Sequence, residues 1–247
     1  VTVDPFRKHR SGAPAGFFEA EAAGLRWLAV PGGVPVTDVL DVGPDHITIA
    51  RVRETVPTRD AARRFGEQLV ATHDAGASAF GVGPDGWAGD GFIGEAPLTL
   101  RAHARWGEFY TQERVLPYAQ RAGLGTGLRS VGALAERVAS GEFDDDAPPA
   151  RIHGDLWSGN VLFNGRSATL IDPAAHGGHR ITDLAMLALF GLPHLDEVYS
   201  GYESATTHLP DGWRDLIGLH QLHPLLVHAV LFGGGYAARA AALAHRY

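Results

Sequence analysis

The chain has 247 residues, of which 45% are hydrophobic and 20% charged, with a formal net charge of −7. That length can bury a sizeable core as one large domain or two modest ones, and the acidic balance speaks against a general nucleic-acid binder, which carries a basic excess. There is no cysteine, which removes disulfides, thiolate nucleophiles and cysteine-ligated zinc and suits a reducing, cytoplasmic setting.

The first fifty residues predict a small mixed lobe. Residues 1–8 read as a strand. Residues 16–29 read as a helix, with Phe17, Glu21, Leu25 and Leu28 at helical spacing, and Pro31-Gly32-Gly33 breaks it. Two strands follow over 37–43 and 46–52, joined at Gly43-Pro44-Asp45. The chain opens at Val1 without a methionine, so further residues are expected upstream.

From Thr58 the pattern turns helical. Thr58 caps a helix that carries Phe65, Leu69 and His73 on one face and stops at Gly76. Residues 81–97 form a glycine-rich loop. A helix over 100–123 is kinked at Pro117, a third runs over 127–141, and the acidic connector 142–150 carries three aspartates as solvated charge. Further helices are predicted near 182–190, 195–207, 213–219 and 221–243. The glycines at 233–235 lack a following Lys-Ser and read as a helix break with close packing. The apolar run over 225–244 is interrupted by His228 and Arg239, which favours buried helices over a membrane span. His220, His223 and His228 do not share one helical face and read as core or surface histidines, not metal ligands. The fold class is therefore α+β and bilobal, with a small lobe over 1–52, a larger, mostly helical lobe over 53–247, and a cleft between them.

The chemistry concentrates in RIHGDLWSGNVLFNGRSATLIDP, residues 151–173. His153, Asp155 and Asn160 have the spacing H-x-D-x-x-x-x-N of the protein-kinase catalytic loop, where the aspartate takes the proton of the attacking hydroxyl and the asparagine ligates magnesium. Asn164-Gly165 between two apolar runs predicts a hairpin with a two-residue turn. The hairpin returns Asp172 to the loop, where the kinase layout needs a second metal-binding carboxylate. Turn-forming Asp, Asn and Gly also cluster for local reasons; the loop, hairpin and returning aspartate in sequence are far more specific than any one of them. The layout further requires a strand lysine paired with a helix glutamate. Lys8 fits the first, and Glu21 fits the second better than its neighbour Glu19. The glycine-rich phosphate loop of that layout is not seen before Lys8, and Ser11–Gly16 follows it.

At these residues the chain resembles the fructosamine kinase (ketosamine 3-kinase) family, within the aminoglycoside phosphotransferase-like kinases. The resemblance rests on HGDLWSGN, with tryptophan where many relatives have histidine, and on residues 170–191, 91–97, 231–240 and 17–28. It implies a protein-kinase-like fold and ATP- and Mg2+-dependent phosphorylation of a ketosamine at the sugar 3-hydroxyl, which leads to deglycation. It implies Asp155 as base, Asn160 and Asp172 as metal ligands, and Lys8 and Glu21 at the ATP phosphates. Ala50 to Val52 would be a hinge meeting adenine, and Trp157 and His179 would line the acceptor site. Arg180 and Asp183 would brace the loop. No nucleic-acid or membrane partner is implied, and the oligomeric state stays open. The alternatives are an aminoglycoside- or choline-type phosphotransferase, whose loop is expected to read H-G-D-x-H-x-x-N, and a nucleotide-binding pseudokinase, which has no chemical reason to keep Asp155, Asn160 and Asp172 together.

Overall fold

A computed structural model describes residues 4–247. Strand β1 (Pro5–His9), helix α1 (Phe17–Leu28) and strands β2 (Val39–Gly43) and β3 (His46–Ala50) build the small lobe as an antiparallel sheet of order β1-β3-β2 with α1 packed on it. The predicted start of the first strand, residues 1–3, lies outside the described residues. The small core joins Phe18, Ala22 and Leu25 of α1 to Ile47 and Ile49 of β3. Phe18, not Phe17, is the fully buried member of the pair.

Two segments fasten this lobe to the rest. Pro35 and Thr37 exchange backbone bonds with Leu170, and the Thr55 N–H donates to the Phe163 carbonyl at 2.8 Å. Both partners belong to the hairpin of β7 (Val161–Phe163) and β8 (Ala168–Leu170), so the small lobe is anchored to the hairpin that ends in Asp172.

The large lobe opens with α2 (Arg59–Asp74). The Thr58 hydroxyl caps it by accepting from the Ala61 N–H, as the sequence predicts. Residues 81–97 are not loop throughout: β4 (Gly91–Ile93) and β5 (Ala96–Leu98) pair around a Gly94-Glu95 turn, with Gly94 at φ +54. The helix expected over 100–123 starts only at α3 (Trp106–Phe109). Before it, Phe80 and His103 hold the chain extended through an antiparallel bridge. A π-helical stretch (Tyr110–Val115) follows and then α4 (Leu116–Ala119), so the irregularity precedes Pro117, which sits harmlessly in the first turn of α4. Helix α5 (Leu128–Ala139) leads to β6 (Ala150–Ile152), which pairs with β9 (His176–Gly178).

The β7–β8 hairpin forms, but Asn164 does not occupy a central turn position. Its N–H donates to the Ser167 carbonyl, and its side-chain oxygen accepts from the N–H groups of Arg166 and Ser167. Gly165, at φ +84, and Arg166 make the bend. Helices α6 (Arg180–Leu189), α7 (Leu195–Ala205), α8 (Ile217–Phe232) and α9 (Tyr236–Ala244) complete the lobe. The run expected as one helix over 221–243 is broken at Gly233 and Gly234, both with positive φ. A Cβ at either would meet open space, so the break needs backbone freedom and not close packing. Trp213–Phe232 is long and apolar enough by length and composition to cross a membrane, and half of it is buried against the protein.

Helices α2 and α7 cross where glycines face carbonyls. A Cβ at Gly66 would collide with the Val198 carbonyl oxygen, and one at Gly201 with that of Arg63. Gly66→Ala is therefore expected to force the helices apart and cost about 1–3 kcal/mol, read as a lower melting temperature. Gly132→Ala, on α5 with open space around its Cβ, is the control and is expected to leave the melt unchanged or raised.

Candidate active site

The catalytic-loop stretch is welded to the hairpin end by His153. Its Nε2–H donates to the Ile171 carbonyl at 2.8 Å, and its Nδ1 accepts the Asp155 N–H at 3.2 Å. Burial holds this imidazole below its usual pKa, so it is neutral and can serve one bond of each kind. Asp155 and Asp172, seventeen positions apart in the chain, are thus tied across a single ring.

Asn160 closes the arrangement. Its Nδ2 donates to the Asp155 carbonyl at 2.8 Å and lies 3.3 Å from Asp155 Oδ2 and 3.4 Å from the Asp172 carbonyl. With the amide nitrogen committed, the amide oxygen is the group left for a ligand. Asp172 adopts φ +53, a left-handed conformation that a non-glycine residue rarely takes. Its carboxylate is partly open to the cleft.

From the small lobe, Lys8 on β1 reaches in. Its ammonium pairs with Glu21 of α1 at 2.6 Å and also with Asp172. The expected Lys8–Glu21 pair is present, and it joins the hairpin aspartate. Burial pushes the Glu21 carboxyl up, against the pull of Lys8. Asp155 is pushed up to about 7, first by burial and then by the nearby Asp172 and Asp183 charges, although the Asn160 bond pulls it down. A carboxyl tuned near neutrality, within a cluster of carboxylates that share one ammonium, suits a proton acceptor beside a cation site.

A network below the loop holds it in place. Asp183, in the first turn of α6, accepts the N–H groups of His153 and Gly154 at 2.8 and 2.9 Å and faces His73 Nε2 at 3.2 Å. His73 in turn meets the Tyr202 hydroxyl at 2.7 Å. Burial would push the Asp183 carboxyl up, but the His73 and His153 bonds overcome it and hold the group below the usual carboxylate range. Arg180, expected to share this bracing, is buried and pairs with Asp74 at 3.0 Å.

The cleft holds about 500 Å³ and is lined by Lys8, Glu21, Asp155, Trp157, Asn160 and Asp172 together. Three expected site residues lie outside this lining. His179 is 2% exposed and caps α6, its Nδ1 accepting the Ile181 N–H while Nε2 faces Asp145 at 3.1 Å. Both nitrogens serve the fold, which corrects its expected place at the acceptor. It also gives Asp145 a structural partner where the sequence offered only solvated charge. Ala50 spends its N–H on the Asp38 carbonyl and its carbonyl on the Thr37 hydroxyl, so neither group is free for adenine. Val52 begins the crossing segment.

Sequence reasoning missed the opposite wall. Arg10 of the small lobe pairs with Glu95 at 3.2 Å and lies over the Phe17 ring, and Phe17 packs on Phe92. These contacts link the β4–β5 turn to α1 across the cleft. Their only sequence signal was a glycine-rich run with no periodicity.

A small sheet with a lysine–glutamate pair, set over a helical lobe that presents a loop aspartate, an asparagine and a returning aspartate, defines a kinase-like phosphotransferase. Comparison with known proteins agrees with this class. The fructosamine kinase family model matches residues 4–247. A protein of Thermus thermophilus named a probable ketoamine kinase is 34% identical over 230 residues, covering 90% of this chain and 79% of that protein. The crystal structure of a Thermobifida fusca protein assigned as a fructosamine-3-kinase has a TM-score of 0.90 at 46% identity, over 99% of this chain and 86% of that one. An aminoglycoside phosphotransferase in ternary complex with AMP-PNP and hygromycin B, at 18% identity and a TM-score of 0.54, shares the fold. The chain belongs to the fructosamine kinase family and is an ATP-using phosphotransferase.

Proposed function

We propose that the protein transfers the γ-phosphoryl group of ATP to the 3-hydroxyl of a ketosamine sugar. The bond from the γ-phosphorus to the bridging oxygen of ADP breaks, a bond to the sugar oxygen forms, and the hydroxyl proton passes to Asp155. The observation that carries this reading is a buried carboxyl, tuned to about 7, set in one cleft with Asn160, Asp172 and the Lys8–Glu21 pair. Lys8 would hold the donor phosphates, oriented by Glu21, and would exchange its contact with Asp172 for them.

Asn160 and Asp172 fit a hard divalent cation. They offer an amide oxygen and a partly exposed carboxylate, and the Lys8 ammonium already stands against Asp172 as a positive charge. Magnesium there would neutralise charge on the transferred group. The residues themselves position the reactants: His153 fixes the loop to the hairpin, and Asp183 fixes the loop from below. The 3-phosphate of the product would make the sugar adduct unstable and release the amine.

The test is a coupled assay with ATP and magnesium, offering fructosyl-lysine, ribosyl-lysine and kanamycin in parallel, with product mass as the check. Turnover with a ketosamine and a gain of one phosphate is the expected result. Turnover with kanamycin alone would move the protein to the aminoglycoside branch. ATP binding without turnover of any acceptor would favour the pseudokinase.

A further inference from the structure

A second cavity, of about 570 Å³, opens on a different face of α1 from the one that carries Glu21. Glu19, Arg26 and Trp27 of α1 line it, together with Asp85 and Trp87 of the glycine-rich segment and Arg151 of β6. Positions three and four apart share one stripe of a helix, so 19, 23, 26 and 27 stand together and 21 does not. The cavity is separate from the reaction cleft except at Trp87, which lines both.

The polar groups of this cavity are held in place but not paired off. Arg151 donates Nη1–H to the Trp27 carbonyl at 2.6 Å and Nε–H to the Gly76 carbonyl at 3.3 Å, and its guanidinium lies 4.3 Å over the Trp27 ring. Its Nη2 stands 3.8 Å from the Asp85 carboxylate, beyond hydrogen-bond reach. Trp27 is only 6% exposed, and its indole N–H has no hydrogen-bond partner among the described residues. Glu19 Oε2 is buried and equally unpartnered. Buried polar groups are almost always paired, so a donor and a carboxylate oxygen left over around one cavity point to a ligand that pairs them. Charge is also sorted along α1. Glu19 lies in its first turn and Arg26 in its last, roughly 10 Å apart along the axis at about 1.5 Å per residue. One end therefore carries Arg26, Arg151 and the Trp27 N–H, and the other a carboxylate.

We propose that this cavity binds a free dibasic amino acid of the lysine type and couples it to the nucleotide site. The α-carboxylate takes Arg26, Arg151 Nη2 and the Trp27 N–H, and the α-ammonium takes Asp85. The four-carbon stem runs along the α1 stripe, and the terminal ammonium takes Glu19. A short amino acid would leave Glu19 without a partner, and a diamine would leave both arginines without one. The coupling has a physical route. Helix α1 carries Glu21 and packs so closely on the segment after Asp172 that a Cβ at Gly24 would stand 3.1 Å from the side chains of Pro173 and Ala175. A ligand that clamps α1 to Arg151 and Asp85 fixes the helix where Glu21 pairs with Lys8, the pair that would hold the donor phosphates. The site stands without the ketosamine reading; under that reading, lysine is the amine that deglycation of a lysine adduct releases.

The experiment is titration calorimetry of lysine, norleucine and cadaverine into the wild type, Glu19→Gln and Arg26→Ala, and of ATP with magnesium in the presence and absence of saturating lysine. The wild type is expected to bind lysine about fivefold or more tighter than norleucine, which lacks the terminal ammonium, or cadaverine, which lacks the carboxylate. Glu19→Gln should weaken lysine to the level of norleucine and leave norleucine unchanged. Arg26→Ala should weaken lysine and norleucine and leave cadaverine unchanged. ATP should bind about fivefold tighter with lysine present, and lysine tighter with ATP by the same factor. Glutamine keeps the shape of Glu19 and Arg26 is exposed, so both variants should stay folded, and neither residue lines the reaction cleft. Lysine binding weaker than about 10 mM in the wild type, or an affinity that both variants leave unchanged, overturns the site. An ATP affinity that lysine does not move overturns the coupling. If no ketosamine is turned over, the ketosamine reading fails by itself, and these affinities still decide the site.

Discussion

Asp155→Asn is expected to lower kcat by about 10²–10⁴-fold, the usual contribution of a general base, while making the protein harder to unfold. The two effects have one cause. The Asp155 carboxyl is raised from its ordinary value to about 7, chiefly by burial. A carboxyl raised in the fold opposes folding when ionised: the penalty is absent below its unfolded pKa, grows as pH rises between about 4 and about 7, and is full above that. Asparagine removes the charge and keeps an oxygen for Asn160. The gain in unfolding free energy should therefore be larger at pH 8 than at pH 5, on the scale of a few kcal/mol at about 1.4 kcal/mol per pKa unit, and is read as a larger rise in melting temperature at pH 8. The wild-type kcat/KM should rise with pH through an acidic limb near 7, because the base must be ionised to take a proton. A variant keeping more than a tenth of the wild-type rate would remove Asp155 from this role. A melt that does not shift with pH would show that the carboxyl is not raised.

The second large effect is expected at Asp183. This carboxylate is fully buried and carries two backbone N–H groups of the catalytic loop as well as His73. Asp183→Ala leaves those donors unpaired in the core, at a cost of about 3–5 kcal/mol. For a chain of this size that is a fall of roughly 6–20 °C in melting temperature. The folded fraction should also be slow, since a loop displaced by about 1 Å can lose about 10²-fold in rate. The pH dependence runs opposite to that of Asp155. The Asp183 carboxyl is depressed in the fold, so its stabilisation is present above the unfolded pKa and lost as pH falls through the folded one. The wild-type advantage over Asp183→Ala should therefore shrink in acid. Equal melts for the two proteins at neutral pH would show that the loop is held elsewhere.

Much of the site was readable because it is local. Asp155, Asn160 and Asp172 come from one stretch of 23 residues, and the features that bring them together are a short loop and a hairpin. Asn164, Gly165 and the flanking apolar runs specify that hairpin through hydrogen bonds spanning a few positions, even though the bend falls one residue later than the dipeptide signal implies. Lys8 and Glu21 are also near in sequence, one on a strand and one on the next helix. Side-chain periodicity alone put Glu21 ahead of Glu19.

What tertiary structure decided is which chemically similar side chains serve the cleft and which serve the core. His179 and His228 are both histidines near apolar helices. Trp106 and His220 bury the first as a helix cap, and the end of α8 turns the second into the cleft wall. The backbone groups of Ala50, expected to meet adenine, are instead taken by Thr37 and Asp38, just before β2. The Arg10–Glu95 link, the bracing of Asp183 by His73 and the Trp157–Phe190 contact join residues from 33 to 110 positions apart. No local pattern reports such pairs. Periodicity and turn chemistry act over single elements, whereas burial and charge pairing depend on which elements meet.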